Sequence, residues 1–217
     1  MNRVRELPGG RVVEVPPERL AGWFDRFAAR NGGLRETTAS ATEVVVTARN
    51  GTTATAVVPF PPLAGSGPPT VRLGIHAKRP RRVGLVLVRL GAHSVGIAEG
   101  ARVLVSRTDR HHVQARSAAG GWSQHRFARR REDQARQALR DAADDVHDVL
   151  VPRAGELAAV VLGGDRHALA QLRADARLGP VFSLAVDRVL DVTEPRRAVL
   201  DEAARRARDV EIFVREP

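Results

Sequence analysis

The 217-residue sequence predicts a mixed α+β and α/β fold, with a small N-terminal α+β unit followed by a mixed β-sheet with flanking helices. Two observations support this prediction. The first part of the chain combines short strand patterns, a turn signal and one amphipathic helix, whereas the second part alternates strands with helices. Because 43% of the residues are apolar, the chain is able to bury a core of ordinary size.

The N-terminal unit is predicted to span residues 1–62 and to contain a hairpin. The pair Asn50-Gly51 is typical of a type I′ turn, in which both central residues have positive φ. Since the unit contains few apolar residues, we expect it to pack on the larger one. Its predicted elements are a strand over Arg11–Val15, a helix over Pro17–Ala29 and hairpin strands over Glu43–Ala48 and Thr52–Val58.

A stretch rich in Pro and Gly predicts a linker over residues 63–74, which separates the first unit from a larger domain over 75–217. The continuous apolar run Val83–Val88 is typical of a strand that is buried on both faces. Asp165 is predicted to cap a helix. The other predicted elements are strands over Ser94–Ala98, Arg102–Ser106, Leu157–Leu162, Val181–Val186 and Val210–Val214, a long helix ending at Leu150, and helices over Asp165–Ala174 and Pro195–Ala207.

The charge of the chain indicates a polyanionic partner. Basic residues outnumber acidic ones by 35 to 25, and all the basic residues except Lys78 are arginines. The excess is concentrated, because residues 71–131 carry +12, residues 1–70 carry +2 and residues 132–217 carry −4. Arginine matches phosphate oxygens in a bidentate geometry, so a polyanion is the first partner to consider.

Other classes of protein are excluded by composition. The chain has no Cys, which rules out a disulfide scaffold, a zinc ribbon, an iron–sulfur site and a thiol nucleophile. Its apolar runs have the length of strands, and the N-terminus lacks the apolar region of a signal peptide. We therefore expect a cytoplasmic protein that does not bind membranes.

The most informative segment is Gly120-Gly121-Trp122-Ser123-Gln124-His125-Arg126-Phe127-Ala128-Arg129-Arg130-Arg131, a glycine pair before an arginine-rich helix start. At about 100° per residue, this helix has two faces. The apolar face, predicted to dock on the sheet, contains Ala135, Ala138, Leu139, Ala142, Val146 and Val149. The opposite face carries Arg126, Arg129, Arg130, Arg136 and Arg140. Arg131 falls on the apolar side, which indicates that the first turn stands clear of the domain and contacts RNA phosphates.

A solvated arginine face, paired with Asp133 and other acids, is the alternative interpretation of this helix. Three features favour RNA instead. The arginines adjoin a Gly-Gly loop, the acids cluster only later in the helix, and the segment Lys78-Arg79-Pro80-Arg81-Arg82 adds further positive charge.

The segment resembles the catalytic loop and helix of the class-I release factors of eukaryotes and archaea, in which a Gly-Gly-Gln loop precedes a helix that opens with an RFARxR pattern. The run Arg126–Arg131 matches that pattern, and Gly120-Gly121 falls at the family's glycine spacing. The resemblance covers about residues 80–217 and implies a release-factor middle domain with a ribonuclease-H-like sheet. The whole chain is most similar to the actinobacterial branch of the Vms-like release-factor group, whose eukaryotic relatives free nascent chains from tRNA.

The resemblance implies a ribosome-associated peptidyl-tRNA hydrolase for rescue and quality control, which acts independently of codons and without a cofactor. Its partners would be the rRNA of the large subunit and peptidyl-tRNA, and we expect a monomer. In an ungapped alignment the catalytic glutamine position falls on Trp122, so Gln124 acts only if the loop is rewound. Gln124 would then orient the water, Gly120 and Gly121 would allow insertion of the loop, and the arginines would grip RNA.

Other roles remain open at several positions. Trp122 either stacks on an RNA base or closes the helix start as a hydrophobic staple. A metal at His111-His112 is not expected, since adjacent residues of an extended segment point in opposite directions. A non-catalytic ribosome-binding factor that uses the same helix is the main alternative function. A metal-dependent nuclease ranks below it, because only Asp109 and Asp187 could supply carboxylates at strand ends.

Overall fold

The structure, a computed structural model, describes residues 3–89, 91–110 and 123–217, and within the helical residues 123–132 it describes the backbone alone. The described residues form eleven strands and six α-helices, arranged in two sheets. The prediction of a mixed fold with a small α+β part and a mixed sheet is therefore confirmed. No described helix has the length and apolar composition that a membrane span requires.

The chain divides into two compact units. The first contains Met1–Pro80 together with Arg205–Pro217, and the second contains Arg81–Ala204. This division differs from the predicted boundaries, because the last strand of the chain joins the first sheet and the second unit is inserted into the first. Periodicity identifies a strand, but it does not show with which sheet the strand pairs.

The first unit contains a six-stranded antiparallel sheet in the order β1-β2-β11-β5-β4-β3. Alternate residues of its strands point into a core that α1 covers with Leu20, Phe24 and Phe27. The strands are β1 (Arg3–Leu7), β2 (Gly10–Val15), β3 (Leu34–Ala39), β4 (Glu43–Ala48), β5 (Thr53–Val57) and β11 (Val210–Arg215), and the helices are α1 (Leu20–Arg30) and α2 (Pro69–Lys78). Strands β1 and β3 were not predicted, because their residues are mostly exposed.

The hairpin of β4 and β5 forms as predicted, but its turn is not type I′. Gly51 has a φ of 91°, whereas Asn50 is not among the residues with positive φ. The Gly51 N–H donates to the Ala48 carbonyl at 3.1 Å, and the Thr52 N–H donates to Asn50 Oδ1 at 3.0 Å. This arrangement is a three-residue loop with glycine in the left-handed position.

The predicted linker is packed against the first unit. Leu63 is 9% exposed and belongs to its core, and α2 begins at Pro69, inside the predicted linker. His76 of α2 is buried and fastens the segment, since its Nδ1 accepts from the Ala64 N–H at 3.1 Å and its Nε2 donates to the Pro59 carbonyl at 2.9 Å. The proline and glycine content predicts a linker here, but it does not reveal the hydrogen bonds that fix the segment to the first unit.

The second unit contains a five-stranded mixed sheet in the order β10-β9-β6-β7-β8. The central strand β6 runs parallel to β9 and antiparallel to β7, and its apolar run is buried as predicted. The strands are β6 (Arg82–Arg89), β7 (Ala92–Glu99), β8 (Arg102–Arg110), β9 (Ala159–Gly164) and β10 (Ala185–Leu190), and the helices are α3 (Ser123–Leu150), α4 (Arg166–Arg173), α5 (Gly179–Phe182) and α6 (Arg197–Arg206).

The predicted strand over Val181–Val186 is wrong in its position. The segment begins with the short helix α5, and β10 starts only at Ala185. Pro180 lies in the first turn of α5, where the fixed φ of proline and its missing N–H are compatible with a helix start. A run of apolar residues alone does not distinguish a short helix from a strand.

Gly164 at the end of β9 meets two requirements that only glycine satisfies. Its φ is +100°, and a Cβ at this position would overlap the carbonyl oxygen of Val88 on β6. We expect Gly164→Ala to lower the free energy of unfolding of the second unit by at least about 2 kcal/mol. Thermal unfolding measures this effect. Gly155→Ala is the control, because no atom lies within 4 Å of a Cβ built there, and an equal loss in both variants would contradict the expectation.

Candidate functional site

The predicted site lies at the N-terminal end of α3, a continuous helix of 28 residues that is about 42 Å long at 1.5 Å per residue. The helix begins at Ser123, so Gln124 is its second residue. The backbone of Arg126, Arg129, Arg130 and Arg131 is helical, whereas their side chains lie outside what the structure describes. Gly120, Gly121 and Trp122 lie outside the described residues, as do His111 and His112.

The apolar face of α3 docks on the sheet through the second half of the helix. Buried residues on this face are Ala138, Ala142, Ala143, Val146, Val149 and Leu150. Ala135 was predicted to belong to the docked face, but it is exposed because it precedes the first buried position, Ala138. Gln124 lies 14 residues before Ala138, which is about 21 Å along the helix axis.

A buried polar contact fixes α3 to the sheet. His93 on β7 is 1% exposed, and its Nε2 lies 2.9 Å from Oδ2 of Asp145 on α3. Its Nδ1 is buried and has no hydrogen-bond partner among the described residues. Because a carboxylate only accepts, Nε2 is the donor of this hydrogen bond. Asp145 also accepts from Nη1 of Arg107 on β8 at 3.0 Å, so one carboxylate joins the helix to two strands.

Two further carboxylates of α3 form ion pairs with arginines. Arg107 Nη1 donates to Asp148 Oδ2 at 2.8 Å, and this hydrogen bond lowers the pKa of Asp148. Arg177 Nη1 donates to Asp144 Oδ1 at 2.9 Å, while its side-chain hydrogen bonds to Asp175 lower the pKa of that carboxyl below 3.8. A carboxyl group with a lowered pKa stabilises the fold when the pH is above its ordinary pKa. This contribution is lost as the pH falls through the lowered pKa.

This anchoring role of the acids was not predicted from the sequence. The cluster Asp141, Asp144, Asp145 and Asp148 was interpreted only as a region of negative charge that follows the arginines. The three anchoring acids are separated from their partners by 33 to 52 residues in the sequence. No local spacing signals a contact over such a distance.

The cationic face of α3 is described for its second half. Arg136 is 63% exposed and pairs with Asp133 at 2.6 Å, and Arg140 donates to Gln137. These contacts are within the helix, so both guanidinium groups remain at the surface. Because α3 is unbroken from Ser123, the register that puts Arg126, Arg129 and Arg130 in line with them holds throughout the helix.

Other charges and motifs have structural partners. Arg82, the first residue of β6, pairs with Glu99 and Glu156 at 3.3 Å and 2.7 Å, so part of the basic segment 78–82 is neutralised. Asp165 accepts from the N–H groups of His167 and Ala168, which confirms it as the cap of α4. In the described part of the chain, no three His, Asp or Glu side chains are grouped closely enough to hold a metal ion.

Comparison with known protein families shows to which family the second unit is similar. A family model described as "Actinobacteria/chloroflexi VLRF1 release factor" matches residues 81–213, which include α3 and the whole second sheet. A comparison with curated protein sequences found no match.

Two solved structures are similar to the chain at low sequence identity. The crystal structure of the archaeal translation termination factor aRF1 has a TM-score of 0.46 and 15% identity, over 90% of this chain and 63% of that one. Dom34 of S. cerevisiae, a translation termination-like factor involved in RNA quality control and interacting with Hbs1, has a TM-score of 0.33 and 8% identity, over 93% of this chain and 65% of that one. The chain thus spans less than two thirds of either structure.

Proposed function

Since the chain belongs to the VLRF1 release-factor family of Actinobacteria and Chloroflexi, we propose that it hydrolyses the ester bond between a nascent peptide and its tRNA on stalled ribosomes or large subunits. The second unit carries this activity, and it acts without reading a codon and without a cofactor. Its partners are the rRNA of the large subunit and peptidyl-tRNA. We place the protein in the cytoplasm as a monomer.

The form of α3 is the observation that carries this proposal. The helix is anchored from Ala138 to Leu150, and its unbroken N-terminal part holds Gln124 in the first turn. The first turn contains no acidic residue. Backbone N–H groups at a helix start have no partner within the helix and attract anions. A rigid support that ends in such a turn suits insertion into a pocket of RNA.

The chemistry requires placement of one water molecule. The water attacks the ester carbonyl, its oxygen bonds to the carbonyl carbon, and the tRNA 3′ oxygen leaves with a proton. The Gln124 amide has no useful pKa, but it accepts and donates hydrogen bonds, which is sufficient to orient the water or a ribose hydroxyl. Gly120 and Gly121 let the backbone approach the ester, and a main-chain N–H stabilises the developing oxyanion.

The arginines hold the enzyme on RNA in this proposal. Arg126, Arg129, Arg130 and Arg136 lie in one register of α3 and bind phosphates of rRNA or of the tRNA end. Arg131 and Trp122 contact RNA at the tip, where an indole ring is able to stack on a base. Charge reversal at Arg129 and Arg130 would weaken binding to the subunit and lessen its dependence on salt.

The test is a release assay with the full chain. Purified large subunits that carry peptidyl-tRNA with a labelled peptide are incubated with the protein, and free peptide is separated from peptidyl-tRNA. We expect release to exceed that of subunits alone by at least about a hundredfold, the scale of one well-placed catalytic group. Binding to the subunit without release would refute the hydrolase proposal.

A second candidate function is a factor that binds the ribosome without catalysis. It is favoured by the position of Gln124 inside a helical turn, since the ungapped alignment puts Trp122 at the catalytic position. This candidate predicts the same RNA affinity as the hydrolase and no release. The assay above therefore separates the two functions.

A further inference from the structure

We infer that the first unit contains its own binding site for RNA phosphates, formed by Arg30, Arg35 and Arg49. These three residues are named here the N-terminal arginine cluster. They lie outside the segment matched by the family model and outside α3. The inference is independent of the proposed hydrolysis, because it concerns binding by a different unit.

Backbone hydrogen bonds join the three segments that carry these arginines, at one end of the first sheet. Arg30 is the last residue of α1, and the Gly33 N–H returns to the Ala28 carbonyl at 2.8 Å. The Arg49 N–H then donates to the Gly33 carbonyl at 3.0 Å. The end of α1, the start of β3 and the β4–β5 loop are therefore joined in one hydrogen-bonded network.

Side chains and glycines complete this arrangement. Asn50 Nδ2 donates to Asn31 Oδ1 at 3.0 Å, which locks the hairpin loop to the end of α1. Gly33 has positive φ, and a Cβ built there would lie 3.7 Å from Nε of Arg49. The Arg49 side chain therefore passes beside a glycine, which has no side chain to obstruct it. Arg35 is the extra residue of a β-bulge between Leu34 and Glu36, and bulges redirect side chains at sheet edges.

The charges of the cluster are available to a ligand. All three arginines are exposed, and in the part of the chain that the structure describes none of their guanidinium groups makes a hydrogen bond or ion pair. The acid nearest to Arg35 in the sequence is Glu36. It lies opposite Thr47 in the register of β3 and β4, on the face of the sheet that points away from the core. The first unit as a whole has 15 basic and 9 acidic residues, a formal net charge of +6.

RNA is the occupant that this chemistry favours. Three exposed arginines on neighbouring segments match a backbone of repeated phosphates. None of the three residues is aromatic, so we expect contact with phosphates rather than with bases. Such contacts are independent of sequence and depend strongly on salt.

The test measures the affinity of the full chain for a fluorescein-labelled, unstructured RNA of about 30 nucleotides at several salt concentrations. We expect Arg30→Gln/Arg49→Gln to weaken binding about tenfold at low salt and to reduce the slope of log K against log salt by about 1.4, which corresponds to two phosphate contacts on a single strand. Arg5→Gln/Arg19→Gln is the matched control. It removes the same charge from exposed arginines of the same unit, on β1 and before α1.

The same pair of variants is measured again in an Arg129→Glu/Arg130→Glu background, where the effect of the cluster should persist because the sites are separate. Equal losses in the cluster variant and its control would overturn the inference, since they would reflect net charge alone. Unchanged RNA affinity in the cluster variant, or binding to phosphatidylserine vesicles without binding to RNA, would overturn it as well. Absence of peptide release would leave it intact and would count only against the hydrolase.

Discussion

Gln124→Ala is expected to lower the rate of peptide release at least about a hundredfold, which is the loss found when one hydrogen-bonding group is removed from a preorganised catalytic site. Binding to the large subunit should stay within about twofold, because the charge of α3 is unchanged and alanine favours helix. Single-turnover release from subunits with labelled peptidyl-tRNA measures the first quantity. Sedimentation with the subunits measures the second.

Gln171→Ala is the matched control for this experiment. Gln171 is an exposed glutamine of α4, and its amide nitrogen lies 2.9 Å from Nε2 of His167 in the same helix. Its variant should release peptide at the wild-type rate. If Gln124→Ala released peptide as fast as Gln171→Ala, the glutamine would have no role, and release would depend on the backbone of the first turn of α3 or on Trp122 instead.

Asp145→Ala is expected to destabilise the second unit by about 2 to 4 kcal/mol, because it removes the acceptor of a buried donor. His93 is 1% exposed, its Nδ1 has no described partner, and Asp145 is the acceptor at its Nε2. Hydrogen exchange at β7 amides and thermal unfolding both measure the effect. Because α3 is anchored through the same carboxylate, the variant should also slow peptide release.

Two controls separate the buried contact from surface charge. Asp148→Ala removes a carboxylate that is 52% exposed and also pairs with Arg107, and it should change stability little. His93→Phe combined with Asp145→Ala should lose less stability than Asp145→Ala alone, since both polar partners are then gone. An equal loss in Asp145→Ala and Asp148→Ala would show that the buried hydrogen bond contributes nothing.

Most elements of the fold could be predicted because their signals are local. The buried run of β6, the amphipathic α1 and the cap at Asp165 depend on periodicity or on contacts within four residues. The prediction failed for elements whose position depends on strand pairing or on tertiary packing. Strands β1 and β3 are edge strands with exposed residues, and β11 pairs with strands that lie more than 150 residues earlier in the sequence.

The location of the candidate site at the start of α3 stays a prediction, which rests on the resemblance at Arg126–Arg131. The docked face of α3 is confirmed from Ala138 onward, because the period of 3.6 residues is a local signal. The contact of His93 with Asp145 crosses 52 residues and follows no motif. The N-terminal arginine cluster depends on backbone hydrogen bonds between three segments, and no pattern in the sequence announces them.

The insertion of the second unit into the first sets an order for synthesis on the ribosome. Strand β11 lies between β2 and β5, so the first sheet lacks an inner strand until residue 215 has been translated and has left the exit tunnel. The second unit, whose segments are contiguous, is complete earlier. The usual progression from N-terminal to C-terminal domains is thereby reversed. Until β11 has left the tunnel, β2 and β5 each keep one strand edge unpaired.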